Sequence, residues 1–403
     1  MKEYESIVGP QVIEELYLVG ERTKGLSVRN VNSTAVGGGV AEILNRMVPL
    51  LKELGVNTSW DVIKGGEQFY KVTKKFHNAL HGKEENVTPE DFSIFHETSE
   101  MNLKTMQFTD DVVFIHDPQP IALIQQKEMG KAKWIWRCHI DVSNPDPKVW
   151  NFLRPFIDRY DAAVFSAPAF SPELPIRQFL IAPSIDPLSD KNKELSEDTI
   201  KSVLEKYKLD LEKPMITQVS RFDQFKDPVG VIEAFEIVQQ HVDCQLVLAG
   251  GEATDDPEGA DVLAKVRERA AENRDIHILA IPSESDIEIN ALQRASTVVI
   301  QKSLKEGFGL TVTEALWKSK PVVASAVGGI TLQIAHKYSG LLCHSIEGAA
   351  HAVKQLLQNS DYAKKLGENG REHVKQNFLL TRHVRDYLLL FLSLFHDGDV
   401  IRL

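Results

Sequence analysis

The chain has 403 residues, 43% of them hydrophobic and 26% charged, with a formal net charge of -11 at pH 7. Single cores stop growing near roughly 250–300 residues, so this composition describes an ordinary soluble protein of two domains. The acidic balance argues against nucleic acid, whose binding is driven by counterion release onto a basic face.

Three cysteines, Cys138, Cys244 and Cys343, lie far apart and form no CxxC pair. They are expected as buried thiols in a reducing compartment, neither disulfides nor a zinc site. The opening MKEYESIVGPQ lacks the apolar run of a signal peptide, and no apolar run, residues 388–395 included, nears the ~20 residues of a membrane span. A cytoplasmic protein without a membrane partner is the expectation.

Taken in order, residues 26–31 (LSVRNV) alternate like a strand, the loop NSTAVGGG follows at 32–39, and residues 40–54 carry apolar side chains at helical spacing up to Gly55, a natural C-cap. Strand, glycine loop and helix open a doubly wound unit. Short apolar runs at 57–63, 111–116, 133–139, 162–165 and 179–181 read as the later strands of βαβ units. Trp60, Trp134, Trp136 and Trp150 fall in this half and read as core residues before sugar platforms. The Pro- and charge-rich stretch 182–195 reads as a linker. Beyond it the pattern restarts, with strands at 215–219, 245–249, 276–279, 297–300, 321–324 and 340–343 and helices at Pro228–Gln239 and 261–272. Helical patterns at 349–357, 363–376 and 380–394 close the chain, the last expected to bury its apolar face on the first domain. The expected division is a first doubly wound domain over 1–185, a second over 186–375, and a C-terminal helix in 376–403.

Four groups of residues could carry chemistry. Gly37-Gly38-Gly39, between strand and helix, lets backbone N–H groups approach an anionic or hydroxyl-rich ligand, or makes a tight turn alone; the spacing fits neither GxGxxG nor a P-loop. Arg221 and Lys226, in SRFDQFK just past a strand, match the charge of a diphosphate, although two solvated surface cations would read the same. His116-Asp117 and His139-Ile140-Asp141 each follow an apolar run. No third or fourth ligand makes them a metal site, and the only DxD-like triplet, Asp397-Gly398-Asp399, reads as solvated. The thirty residues 301–330 (QKSLKEGFGLTVTEALWKSKPVVASAVGGI) hold two carboxylates around a Gly-Phe-Gly turn. Thr311 to Glu314 fits a T-x-x-E capping box, so Glu314 could cap its helix, hold a ligand, or both. Glu306 has no such local role.

Glu306, seven residues and Glu314, with GFGL between them and KPVVASAVGG after, resemble the E-x7-E motif of retaining GT-B glycosyltransferases of family 4. The segments VNSTAVGGGVAEIL, TKKFHNALHG, HDPQP, WRCHIDVSNP, PSIDPLS and QVSRFD resemble, more narrowly, the nucleotide-sugar-dependent trehalose synthases, with the retaining trehalose phosphorylases as near relatives. The resemblance spans nearly the whole chain. It implies an α/β GT-B fold, two doubly wound Rossmann-like domains facing a central cleft. It also implies a retaining glucosyltransferase that makes trehalose from UDP- or ADP-glucose and free glucose, reversibly. A retaining trehalose phosphorylase, or a non-catalytic nucleotide-sugar-binding protein, is the alternative.

Carried onto this chain, the family pattern implies that Arg221 and Lys226 hold the donor diphosphate and that Glu314 holds the ribose. Glu306, with the backbone N–H groups of Gly307, Phe308, Gly309 and Leu310, would hold the donor sugar, and Gly38 and Gly39 would close over the phosphate. His139 would lie beside the anomeric carbon, while Asp117 and Gln119 would face the acceptor. Glu306, His139, Arg221 and Lys226 are thus the expected catalytic set, with no metal and no tightly bound cofactor required; a homodimer is left open. The chain departs from the family after Gly328-Gly329, where ITLQIAHKYSGLL replaces an acidic turn of the D-G-x-T-G kind.

Overall fold

The computed structural model of the chain describes residues 1–35, 39–251, 257–282 and 284–396. Gly37, Gly38 and the acidic triplet 397–399 lie outside the described residues. The chain divides into two compact units, one built from residues 1–183 and the chain from Leu380 on, the other from residues 184–379.

In the first unit six parallel strands run as β1 (Ser27–Asn32), β2 (Asn57–Val62), β3 (Val112–His116), β4 (Lys133–Arg137), β5 (Ala162–Phe165) and β6 (Arg177–Leu180), in the order β2-β1-β3-β4-β5-β6. β3 and β5 are buried along their whole length, because parallel strands covered by helices on both faces must be apolar on both. The helix Gly39–Glu53 ends as its sequence predicts: Gly55 takes φ 90°, its N–H bonds Lys52 O at 3.0 Å and Val56 N–H bonds Leu51 O at 3.0 Å, the two bonds of a Schellman motif. The C-terminal helix Leu380–Phe395 belongs to this unit. Its Tyr387 ring sits 4.9 Å from Phe114 on β3, and Arg382 Nη2 donates to Ala182 O at 2.8 Å. Trp134 and Trp136 are core residues, as expected, while Trp60 and Trp150 are half-buried.

The second unit repeats the architecture with β7 (Met215–Val219), β8 (Gln245–Gly250), β9 (Ile276–Ala280), β10 (Val298–Gln301), β11 (Val322–Ser325) and β12 (Leu341–Cys343), parallel in the order β12-β11-β10-β7-β8-β9. The helix Pro228–Gln239 occupies its predicted span because Asp227 caps it, accepting from Gly230 N–H at 3.1 Å, and Pro228 fills the first helical position. The stretch read as a linker is instead folded onto this unit. Ile185, Asp186, Ser189 and Asn192 are buried, and Asn290 Nδ2 donates to Asp190 O and Lys193 O, each at 2.8 Å. Its prolines and charges hide short turns whose backbone is satisfied by buried side chains.

Two adjacent strands in each sheet, β1 with β3 and β7 with β10, mark where the strand order reverses. Loops leaving the carboxyl ends there turn to opposite faces and open the crevice in which doubly wound folds take ligands. Among the described residues no helix is long and apolar enough to cross a membrane, and the three cysteines are buried and free.

At the end of β8, a Cβ on Gly250 would meet Ser220 O at 1.8 Å, whereas one on Gly251 would meet only Ile281 O at 3.6 Å. The start of the Arg221 loop therefore depends on a hydrogen at position 250. Gly250→Ala should lower unfolding free energy by about 1–3 kcal/mol in urea denaturation, while Gly251→Ala stays within about 0.5 kcal/mol. Equal effects would contradict the close approach.

Candidate active site

In the second unit the loop after β7 carries the two predicted cations. Asp223 accepts from Phe225 N–H at 2.7 Å and shapes a 3-10 turn over Gln224–Lys226, after which Asp227 adopts the left-handed conformation at φ 48°. Lys226 Nζ lies 2.5 Å from Glu306 Oε2, and Ser303 Oγ donates to the same oxygen at 3.1 Å. Lys302 pairs with Asp227 alongside. Arg221 stays exposed, with Nη2 3.6 Å from Asp223 Oδ2. Arg221 is thus exposed, whereas Lys226 is joined to the predicted sugar-binding carboxylate across the β7/β10 switch point.

Glu306, Gly307, Phe308, Gly309 and Leu310 form the loop after β10. Gly309 takes φ 85° as the N-cap residue of the helix Leu310–Trp317, and a Cβ there would press on Glu306 Cγ at 3.1 Å. The capping-box expectation for Thr311 and Glu314 is thereby overturned. The helix begins one residue before Thr311, its N-cap makes no side-chain bond, and Thr311 Oγ1 points to Gln301 Oε1 at 3.5 Å. Glu314 is buried at 2% exposure, one turn before Lys318. The Lys318 ammonium bonds Asn192 Oδ1 at 3.0 Å and Glu314 O at 3.2 Å, and burial lowers its pKa to about 7 against the pull of Glu314.

The glycine pair that ends the 301–330 stretch supports this loop from behind. A Cβ on Gly329 would meet Gly307 O at 2.5 Å, and Gln333 Nε2 donates to Phe308 O and, at 3.4 Å, to Gly309 O. Thr313 Oγ1 in turn bonds Gln333 Oε1. Gln333 was not singled out from the sequence, where nothing distinguishes it from a surface glutamine.

In the first unit β1, β3 and β4 bring the remaining predicted residues together. His116 ends β3; its Nδ1 lies 3.2 Å from His139 Nε2 and its Nε2 lies 3.2 Å from Asn30 Oδ1 on β1. Asp117 follows at φ 65°, accepting from His139 N–H on Oδ1 at 2.8 Å. Burial raises the Asp117 pKa to about 6, against the His139 bond and the charge of Arg137. Burial, reinforced by Arg137, holds His116 down to about 3 and His139 well below the usual histidine range. Gln119 Oε1 is buried without a hydrogen-bond partner, an acceptor turned toward no donor of the described residues. Gly39 opens the helix Gly39–Glu53, while Gly38 lies outside the described residues. Sequence inspection missed Arg137, which is fully buried: Nη2 donates to Ser166 Oγ at 3.2 Å, while Nε and Nη1 have no partner among the described residues. Among the described residues no three His, Cys, Asp or Glu side chains gather as a metal ion would require.

Comparison with known proteins places this geometry. Residues 30–172 match the family model "Trehalose synthase, N-terminal domain", and residues 200–373 match "Glycosyl transferases group 1". A trehalose synthase of Thermococcus litoralis is 43% identical over 98% of this chain and 97% of its own length. A trehalose phosphorylase of Pleurotus pulmonarius is 28% identical over 93% of this chain but only 58% of its own. Among solved structures, an alpha,alpha-trehalose-phosphate synthase from Burkholderia vietnamiensis superposes with a TM-score of 0.74 at 14% identity, covering 94% of this chain and 99% of that one.

The buried histidines make stability depend on pH. In the unfolded chain His116 takes up a proton near its ordinary 6.5, whereas the folded site keeps it neutral down to about 3. Stability is therefore full above about pH 6.5 and declines as pH falls through that window. His139 and His383 act in the same sense, and Asp117, whose raised carboxyl binds its proton more readily in the folded state, acts in the opposite one. Denaturation between about pH 7 and pH 5 should show this loss. In His116→Phe the slope should be shallower by up to about 1.4 kcal/mol per pH unit; an unchanged slope would refute the shift.

Proposed function

Because the chain belongs to the trehalose synthase family of GT-B glycosyltransferases, we propose that it transfers glucose from UDP- or ADP-glucose to free glucose with retention, forming trehalose, and that the reaction runs in both directions. The observation that carries this reading is the Lys226–Glu306 pair at the β7/β10 switch point, with Arg221 exposed on the same loop. An entering diphosphate draws Lys226 from Glu306, and the released carboxylate accepts hydrogen bonds from the donor sugar. Backbone N–H groups of Gly307 to Leu310 hold the same sugar, Glu314 the ribose, and Gly38 and Gly39 the phosphate.

In the transfer, the bond from the anomeric carbon to the phosphate oxygen breaks and the bond to the acceptor oxygen forms on the same face. The acceptor's proton passes to the departing diphosphate. Arg221 and Lys226 stabilise the charge that develops there, which is the role a divalent cation would otherwise fill, so the transfer needs no metal and no tightly bound cofactor. His139 lies beside the anomeric carbon. Asp117 and the orphan acceptor of Gln119 hold the incoming glucose. Three buried free thiols and a nucleotide-sugar donor suit a cytoplasmic enzyme.

A product assay with a panel of nucleoside-diphosphate glucoses and sugar acceptors, run with and without EDTA, tests this. Trehalose and the free nucleoside diphosphate should appear together, with EDTA without effect. Trehalose made from glucose 1-phosphate instead, with no nucleoside diphosphate bound in calorimetry, would make the protein a phosphorylase; no product would make it a binding protein.

The residue roles have their own test. Arg221→Ala and Lys226→Ala should each weaken nucleoside-diphosphate binding about tenfold or more, the value of a charge-assisted hydrogen bond. Glu306→Gln should bind the diphosphate but lose about 10²–10³ in kcat. Unaltered affinity in both lysine and arginine variants would remove the donor assignment.

A further inference from the structure

Three polar side chains line up across adjacent strands of the first sheet: Asn30 on β1, His116 at the end of β3 and His139 just past β4. The register explains the alignment. Asn30 stands opposite Phe114, two residues before His116, and His116 stands opposite Arg137, two residues before His139. All therefore share one face of the sheet. The same face carries Tyr387 and His383 of the C-terminal helix, with Tyr387 against Phe114 at 4.9 Å and His383 against Tyr387 at 4.5 Å.

Hydrogen-bond direction along this line is determined at its inner end. Asn30 Nδ2 faces Ser59 O at 3.3 Å and Thr58 Oγ1 at 3.1 Å. A backbone carbonyl can only accept, so the amide NH2 must point to it, and Oδ1 is the atom 3.2 Å from His116 Nε2. That nitrogen therefore carries the His116 proton, and Nδ1 is left with a lone pair. His139 Nε2, 3.2 Å from that lone pair, must supply the next proton. One proton per ring satisfies every contact, and the neighbours favour it. The groups around the pair are the permanent cation Arg137, the titrating Asp117 and His383, and Tyr387; burial and Arg137 hold both rings neutral at pH 7.

We infer that Asn30 and His116 are positioning residues that lock His139 in its Nε2–H tautomer, so that its Nδ1 lone pair accepts a hydrogen bond from a hydroxyl of the transferred sugar. The lock stands on the contacts above; the hydroxyl rests on the glycosyl-transfer reading of the site. A histidine held as an acceptor prefers a sugar that can donate at that position, because an analogue lacking the hydroxyl leaves the lone pair desolvated.

The test begins without any variant. Long-range ¹H–¹⁵N correlation spectra of the full chain, labelled at histidine and assigned with His139→Gln, should show a protonated Nε2 and a bare Nδ1 on His139 at pH 7. A protonated Nδ1 on His139, or an imidazolium, overturns the lock. Asn30→Asp then places a carboxylate against His116 Nε2 and favours protonation of both its nitrogens. His139 should switch to the Nδ1–H form, and kcat should fall about tenfold, the value of one hydrogen bond, with nucleoside-diphosphate affinity unchanged. A switched tautomer with unchanged kcat overturns the sugar contact while leaving the lock in place.

Discussion

The ion pair of Lys226 with Glu306 joins the loop leaving β7 to the loop leaving β10, the two neighbouring strands at which the second sheet reverses its order. Much of the local architecture serves it. Ser303 Oγ donates to the same carboxylate oxygen, Asp227 in its left-handed conformation is held by Lys302, and Gly309 leaves room for the Glu306 side chain. Glu306 is 8% exposed, and removing Lys226 leaves its carboxylate largely desolvated with the Ser303 hydroxyl still donating to it, at a cost of up to about 3–5 kcal/mol. The pair is thus a brace between the two loops.

The first unit gathers several unfavourable features at the loop edge of its sheet. Among the described residues Arg137 keeps two buried donors without partners and Gln119 one buried acceptor, and Asp117 takes a left-handed backbone conformation uncommon outside glycine. Each lowers stability, by about 1–3 kcal/mol for an unsatisfied buried group. Burial keeps the histidines neutral, and Arg137 adds to it, since a permanent buried cation opposes a second positive charge nearby. The cluster combines fixed groups, the permanent charge of Arg137 and two histidines that stay neutral at pH 7, with one carboxyl, Asp117, raised to about 6.

How much of this was legible depended on the range of the causes. The helix Pro228–Gln239 and the glycine stop at Gly55 are written in neighbouring residues, so the sequence showed both. Strands such as β3 and β5 were visible because burial on both faces demands unbroken apolar runs. Glu314 shows the limit of local pattern: T-x-x-E is a capping signature only if the threonine stands at the N-cap, and the positive φ of Gly309 starts the helix earlier. The stretch 182–195 misled for the opposite reason, its short-range composition being that of a tether while partners such as Asn290 and Lys318 lie about a hundred residues on. The Asn30–His116–His139 line depends on strand register alone, which no single segment contains.

The departure after Gly328-Gly329 concerns the same loop as the ion pair. With an acidic glycine turn absent, the short helix Ile330–Gln333 follows, and its last residue reaches back to Phe308 O and Gly309 O. In a trans peptide the carbonyl and the next N–H point in opposite directions. Holding the Phe308 and Gly309 carbonyls on Gln333 therefore turns the N–H groups of Gly309 and Leu310 away from it. Gly329 permits the close approach that this needs, since any side chain there would strike Gly307 O and Phe308 Cα. The orientation of the Gly309 and Leu310 amides thus rests on one glutamine and one glycine, and Thr313 holds that glutamine from the helix that carries Glu314.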